Sequence, residues 1–358
     1  MSIYAVWNNK GGVGKSYLTF QLASEYARQH PDKKVLVVDL CPQANSSSML
    51  LGGMIAGEAQ LTNIHSQQNN RRTISGYIEE RIRSPYMSPN SGANYVTQVS
   101  QYNNRIPDNV FLVVGDEQLE TQSSRVSSAT NPGPQDAWRS VHLWIRELIN
   151  DIQTSWNNAE TCVFIDCNPS FSVYTELALT ASDRLLIPFS ADGSSKRAVR
   201  AILSLVYGVQ RHVGDPLSDF VTETRRFRMQ VPQIYMYIGN RLTQMNSSSA
   251  SAFRTVVSEI GDEIWNVWQT TPQVFCIHPN GAATPNNKRA FKAMFQYEVN
   301  DANSASVVSG ALGIPIASLT AGQKNVAGRS ITVNQSQLDK QVPNIQDLVR
   351  SEEHTSEL

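Results

Sequence analysis

Apolar residues occur along this chain in short, almost uninterrupted runs: SIYAVW (2–7), KVLVVDL (34–40), VFLVVG (110–115), TCVFIDC (161–167), RLLIPFS (184–190), QIYMYIG (233–239) and QVFCIH (273–278). A strand with one wet face alternates apolar and polar residues. A run without alternation belongs to a strand covered on both faces, the condition of a parallel sheet crossed over by helices. Helical stretches separate the runs, over 15–30, 136–154, 172–182, 194–212, 248–268 and 286–298. Strand and helix taking turns in this way predict an α/β fold: a doubly wound, mostly parallel sheet flanked by helices.

Three regions break the pattern. Residues 50–109 are rich in Ser, Asn, Gln and Gly and read as a polar surface insertion with one short helix near 73–83. Residues 214–230 read as a loop carrying Arg225, Arg226 and Arg228. In 301–349 only ALGIPIASL (311–319) is clearly apolar, so this part reads as a C-terminal extension of a domain filling 1–300. The ending RSEEHTSEL resembles translated sequencing-adaptor sequence, and 350–358 are expected to be a non-native tail.

Composition sets limits. A chain of 358 residues, 41% of them hydrophobic, buries a sizeable core. A formal net charge of −1 points to neither nucleic acid nor an anionic membrane. No stretch reaches the roughly 18 apolar residues of a membrane-crossing helix. A glycine-rich loop interrupts the N-terminus before a signal peptide's apolar core can form. Cys41, Cys162, Cys167 and Cys276 show no metal-type pairing and read as reduced thiols of a cytoplasmic protein.

The chemistry begins at NNKGGVGKSYLTFQLA (8–23), where an apolar strand runs through glycines directly into a helix. Glycines let successive backbone N–H groups converge on phosphate oxygens at a helix N-terminus. In such a loop Lys15 reaches the β- and γ-phosphates and the Ser16 hydroxyl ligates Mg²⁺. The nucleotide-binding set is then Gly11, Gly12, Val13, Gly14, Lys15, Ser16 and Tyr17.

The loop departs from the common GxxxxGK[ST] pattern, because Asn9 stands where that pattern has its first glycine and a second lysine, Lys10, follows it directly. This form resembles the deviant Walker A motif of the ParA/MinD family of partition and positioning ATPases, and the resemblance runs through most of residues 1–300 as a series of motifs. It implies that Lys10 crosses to a partner subunit's phosphates, so that a homodimer forms when ATP is bound. VVDLCPQANSS (37–47) resembles the family's DxDPQxN segment. Asp39 matches its first Asp, near the Mg²⁺ shell. Cys41 stands where the family has the Asp that positions the attacking water, and a neutral thiol supplies no fixed charge for that task. VFIDCNPSFS (163–172) resembles the Walker B strand, with Asp166 as a Mg²⁺-shell carboxylate. YIGNRL (237–242) and CIHPN (276–280) resemble the adenine-side segments, with Asn240 and Pro279 against the base. LLIPFSADGSS (185–195) resembles a loop that lines the family's dimer face.

The resemblance therefore implies a cytoplasmic ATPase using ATP and Mg²⁺, with catalytic residues Lys10, Asp39 and Cys41 and metal-shell residues Ser16, Asp39 and Asp166. It implies slow hydrolysis stimulated by a ParB-like or other small partner, in the partition or positioning of DNA or a large cargo. Arg225, Arg226, Arg228, Lys288, Arg289 and Lys292 offer either a non-specific DNA surface, with nucleoid association, or an ordinary solvated face. An ATP-binding scaffold disabled by Cys41 is one alternative. A MinD-like membrane-positioning ATPase is another, although QLDKQVPNIQDLVR (337–350) makes a poor amphipathic anchor.

Overall fold

Eight strands form the central sheet of the computed structural model: β1 (Ser2–Val6), β2 (Lys34–Leu40), β3 (Val96–Gln98), β4 (Val110–Val113), β5 (Thr161–Cys167), β6 (Arg184–Phe189), β7 (Gln233–Leu242) and β8 (Gln296–Asn300). The structure describes residues 1–66, 71–131, 133–190, 192–210, 212, 214–242, 247–300 and 303–353. The expected non-native tail therefore lies, from residue 354 onward, outside the described residues. The strand order is β3-β4-β2-β5-β1-β6-β7-β8, and every pairing is parallel except that of the short edge strand β3 with β4. Fourteen helices accompany them among the described residues: α1 (Lys15–Gln29), α2 (Asn45–Leu50), α3 (Gly53–His65), α4 (Ile74–Arg83), α5 (Leu119–Ala129), α6 (Ala137–His142), α7 (Trp144–Ser155), α8 (Val173–Ala181), α9 (Ser195–Tyr207), α10 (Asp219–Arg226), α11 (Ser247–Thr270), α12 (Lys288–Phe295), α13 (Ser304–Leu312) and α14 (Gln335–Glu353). A separate hairpin, β9 (Gly322–Val326) and β10 (Arg329–Val333), lies between the last two helices.

The uninterrupted apolar runs have the cause the sequence suggested. Successive strand residues point to opposite faces, and here each face has its own core. Ile3, Ala5, Leu36, Val38, Val163 and Ile165 join one cluster with α4, α7 and α8. Tyr4, Val6, Val35, Val37, Cys162 and Phe164 join the other with α1, α13 and α14. Asp39 and Asp166 continue the second alternation, which aims both carboxylates toward the face that α1 covers.

Several elements differ from the sequence expectation. QVFCIH (273–278) is not a strand of the sheet. It touches β7 through one bridge, Ile234 to Phe275, and owes its apolar character to an aromatic cluster in which Phe275 packs on Trp268, Phe291 and Phe295. The helix expected over 286–298 ends at Phe295, where the chain turns into β8. The stretch 136–154 divides into α6 and α7 around Leu143. Residues 214–230 contain α10, capped by Ser218 Oγ accepting from Val221 N–H at 3.1 Å. Residues 50–109 supply two helices and β3, and bury Leu61, Ile64, Ile74, Tyr77, Ile78, Val99 and Ile106, so they are more than a polar surface excursion.

Residues 304–349 are no appendage either. Val308, Ile316, Leu338, Ile345 and Leu348 complete the core beneath α1. Buried Gln21 of α1 donates to Ser309 Oγ at 2.8 Å and accepts from Ile316 N–H at 2.9 Å. Helix α14 also closes the sheet's open edge. Asn344 donates to the Glu298 carbonyl at 2.9 Å and accepts from Asn300 N–H at 3.0 Å, and Gln341 donates to the Asn300 carbonyl at 3.1 Å. An edge strand left bare is a template for unwanted pairing. Asn344→Ala strips a donor and an acceptor from that edge, so chemical denaturation should show a loss of about 1–3 kcal/mol. Asp347→Ala, one turn on and 58% exposed, should stay within about 0.5 kcal/mol of wild type.

Candidate nucleotide and metal site

The phosphate loop leaves β1 at Val6 and enters α1 at Lys15. Asn8, fully buried, fixes its start by donating to the Pro188 carbonyl at 2.7 Å. Gly12 and Gly14 adopt φ of 75° and 80°, a left-handed backbone that side chains resist, and no protein atom lies within 4 Å of where a Cβ at Gly11 or Gly12 would sit. The loop thus leaves room above itself for a ligand. Asn240, at the end of β7, donates from Nδ2 to the Val13 carbonyl at 2.9 Å, while its Oδ1 is buried without a partner. In this state Asn240 braces the loop from below and keeps one acceptor uncommitted. Pro279 is exposed in the following turn, its carbonyl accepting from Ala282 N–H.

Below the loop, the register of parallel β2 and β5 sets Asp39 directly beside Asp166, and β1 sets Val6 on the other side of Asp166. Neighbouring strands are about 4.8 Å apart, and both carboxylates are fully buried. Asp39 is well held: its carboxylate accepts from Cys41 N–H at 3.0 Å, Ser47 N–H at 3.0 Å and Ser47 Oγ at 2.7 Å. Burial still raises its pKa above the ordinary carboxylate value. Neither oxygen of Asp166 receives a hydrogen bond of ordinary geometry, and the buried Ser46 hydroxyl is likewise unpartnered. Burial first, and then the charge of Asp39, push Asp166 up to about 7, against the smaller opposing influence of Ser16, Ser46 and Lys15. A buried carboxylate without partners is costly unless a cation completes it. The hard oxygen donors of Asp166, Ser16 and Ser46 suit Mg²⁺, which takes few protein ligands and fills its shell with water and phosphate oxygens.

The two lysines have distinct settings. Lys15 is almost wholly buried, its ammonium donating to the Lys10 carbonyl at 2.9 Å. Burial lowers its pKa, opposed by the charge of Asp166. Lys10 turns the other way. Its ammonium contacts Ser190 Oγ at 3.2 Å and forms an ion pair with Asp192, in the loop after β6. Burial disfavours the Asp192 anion, but hydrogen bonds from Lys10, Ser194 and Ser190 outweigh it and hold the carboxyl well below the usual range.

Cys41 is buried just past the end of β2, and burial, then the charges of Asp39 and Asp166, push its thiol up to about 12. It is neutral at physiological pH. The basic groups named from the sequence are partly spent: Arg226 pairs with Glu223, and Lys288 with Asp262. Arg225 and Arg228 remain exposed at the end of α10.

Sequence reasoning missed three residues that shape this site. Ser46 and Ser47 lie within the quoted ANSS string, yet nothing in the string marks one as a bare hydroxyl and the other as the clamp on Asp39. Gly115, just past β4, is the third. A Cβ there would stand 2.8 Å from the Asp39 carboxyl and 2.9 Å from Ala44 Cβ, and its N–H donates to Ser47 Oγ at 2.9 Å.

Comparisons with known proteins bear on the family and the fold. The family model described as an AAA domain (AAA_31) matches residues 1–218. The chain is 23% identical over 216 residues to the sporulation initiation inhibitor protein Soj of Bacillus subtilis, a span of 60% of this chain and 68% of that one. It is 24% identical over 266 residues to the chromosome partitioning protein ParA of Caulobacter vibrioides, 74% of this chain and 79% of that one. Among solved structures, apo McdA of Cyanothece matches with a TM-score of 0.56 at 14% identity, covering 97% of this chain and 98% of that one. A structure of pnob8 ParA matches with a TM-score of 0.51 at 14% identity, over 82% and 80% of the two chains. At such identities the structural likeness speaks for the fold.

The raised pKa of Asp166 sets a pH dependence in the ligand-free protein. Between about pH 4 and pH 7 the folded state keeps a proton on this carboxyl that the unfolded chain has lost, so stability falls as pH rises through that window. Asp166→Asn removes the titration. Denaturation midpoints across the window should decline less steeply for the variant than for wild type, and parallel slopes would contradict the assignment.

Proposed function

Because the chain belongs to the AAA-domain family AAA_31 and is a ParA-like P-loop ATPase, we propose that it is a nucleotide-dependent switch in which two copies close on two ATP molecules. The closed pair partitions or positions DNA or another large cargo, and a small ParB-like partner prompts the hydrolysis that reopens it. The observation that carries this reading is the in-register pair Asp39 and Asp166 beneath an open glycine loop, with neither oxygen of Asp166 receiving a hydrogen bond of ordinary geometry. Ser16 and Asp166 would hold Mg²⁺, with Asp39 behind them, and the ion would offset the phosphate charge. The loop N–H groups and Lys15 bind the β- and γ-phosphates from within one subunit. Asn240 Oδ1 is the acceptor left for the base.

Lys10 acts between subunits. In the single chain it is held by Asp192, so its ammonium must leave that carboxylate before it can meet a partner's phosphates. Dimerisation is thereby set against an internal ion pair, and only the charge of bound triphosphate favours the exchange. Lys10→Ala should bind ATP but stay monomeric with ATP and Mg²⁺ in sedimentation velocity. Asp192→Ala frees the lysine and should dimerise at lower protein concentration than wild type. Equal dimerisation of all three proteins would refute the role.

A second reading has its own observation. The Cys41 thiol, neutral at physiological pH, cannot orient a water by charge, which favours a long-lived ATP complex and a scaffold-like protein with little turnover. Cys41→Asp should raise single-turnover hydrolysis about tenfold or more. It should also destabilise the ligand-free fold, since it adds a third carboxylate beside Asp39 and Asp166. A wild-type rate already as fast as the variant's means that another residue positions the water.

A further inference from the structure

A cleft of about 1110 Å³ runs along α4 and shares no lining residue with the phosphate loop. Arg71, Arg72, Glu79, Glu80, Arg83 and Tyr95 form its charged and aromatic walls. Small-molecule sites are mostly apolar and about 300–1,000 Å³, so an open, charged cleft of this size suits a stretch of polypeptide better. Its carboxylates are already engaged. Glu79 takes two hydrogen bonds from Arg125, at 2.6 and 3.2 Å, and Glu80 takes Ser91 Oγ at 2.6 Å and Tyr95 OH at 2.7 Å. The cations are less committed. Arg72 bonds only the carbonyls of Asn94 and Val96, with no carboxylate partner among the described residues. Arg83, 77% exposed, reaches Glu79 at 3.4 Å. Glu80 keeps its charge, but Arg71, Arg72, Arg83 and Arg125 outnumber Glu79, Glu80 and Asp116 by one, and the spare donors are those of Arg72 and Arg83.

Arg71 ties the cleft to the metal site. Its guanidinium grips buried Asp116 with two bonds, 2.5 and 2.6 Å, and Asp116 also accepts from Thr73 Oγ1 at 2.6 Å. The preceding residue is Gly115, which packs on Asp39 and holds Ser47 against it. A carboxylate entering the cleft competes with Asp116 for Arg71, and any slackening of Asp116 is passed within one residue to the wall of the Mg²⁺ site.

We propose that this cleft docks an acidic segment of a partner protein, and that its occupancy alters nucleotide affinity through Arg71, Asp116 and Gly115. The docking stands by itself; the coupling rests on the nucleotide site proposed above. Glu79 and Glu80 in the walls disfavour a nucleic acid, whose phosphates crowd every position, over a chain whose carboxylates are spaced by neutral residues.

The test uses the full chain and a fluorescein-labelled peptide of alternating Glu and Ser, with a Lys/Ser peptide and oligothymidylate as controls. Anisotropy should saturate for the Glu/Ser peptide alone and weaken as salt is raised. The double variant R72E/R83E, altered at exposed positions, should lose affinity about tenfold or more. The peptide should shift the affinity for Mg²⁺-ATP about fivefold or more. Arg71→Lys, which cannot make the two-pronged grip, should bind the peptide yet lose that shift. Undiminished binding to R72E/R83E, or equal binding of oligothymidylate or the Lys/Ser peptide, overturns the docking. Peptide binding with unchanged ATP affinity in wild type overturns the coupling. Peptide binding in a protein that binds no ATP at all overturns the nucleotide reading and leaves the docking standing.

Discussion

Two buried carboxylates on adjacent strands repel each other, and the architecture around them answers that repulsion. The register of β2 and β5 leaves Asp39 and Asp166 no freedom to part. In an interior of low dielectric, two such charges about 5 Å apart cannot both persist without a counter-charge. Asp39 is settled by three hydrogen bonds from its own strand end and from α2. Asp166 is left unsettled, and at neutral pH it is balanced between holding a proton and awaiting a cation. The buried ammonium of Lys15 and the first turn of α1 bring positive potential to the same place. The ligand-free protein is therefore a strained arrangement that bound cation and phosphate would complete together.

The same logic of unfinished pairing governs the surface of the site. Lys10 and Asp192 satisfy each other beside the loop, and the pair holds the Lys10 ammonium against the segment after β6. An exposed ion pair contributes little to stability, so this contact is easily exchanged for a better partner. Asp116 and Arg71 form the opposite kind of pair, two-pronged and anchored on a buried carboxylate. In the ligand-free protein the first contact is lightly held, while the second fixes the segment that packs Gly115 on Asp39.

What the sequence revealed, and what it hid, follows the range of the interactions. The glycine loop was legible because phosphate binding needs its backbone geometry in one local stretch. Asp39 and Asp166 were legible because each ends a strand whose two-faced burial is written in consecutive apolar residues. Gly115 was hidden because its constraint lies in Asp39, on the neighbouring strand, and a glycine after an apolar run looks like any turn. Asp192 was hidden as the partner of Lys10 because 182 residues separate them. The run QVFCIH misled because apolar residues report burial, here among aromatic rings, and not strand pairing. The core role of 304–349 was hidden because several of its fully buried positions are small or polar, such as Ala305, Ser309 and Gln341, and form no apolar run.

The clasp between α1 and residues 309–316 gives the fold a direction in time. A ribosome releases the glycine loop and α1 first, but the side of α1 that carries Gln21 finds Ser309 and Ile316 only after some 290 further residues have been made. Contacts so distant in sequence form slowly, and until then the apolar flank of α1 and the bare edge of β8 are open to chaperones and to neighbouring chains. A nascent chain halted before α13 holds the whole glycine loop yet lacks the packing that steadies α1. The order of α1 thus depends on residues made long after it.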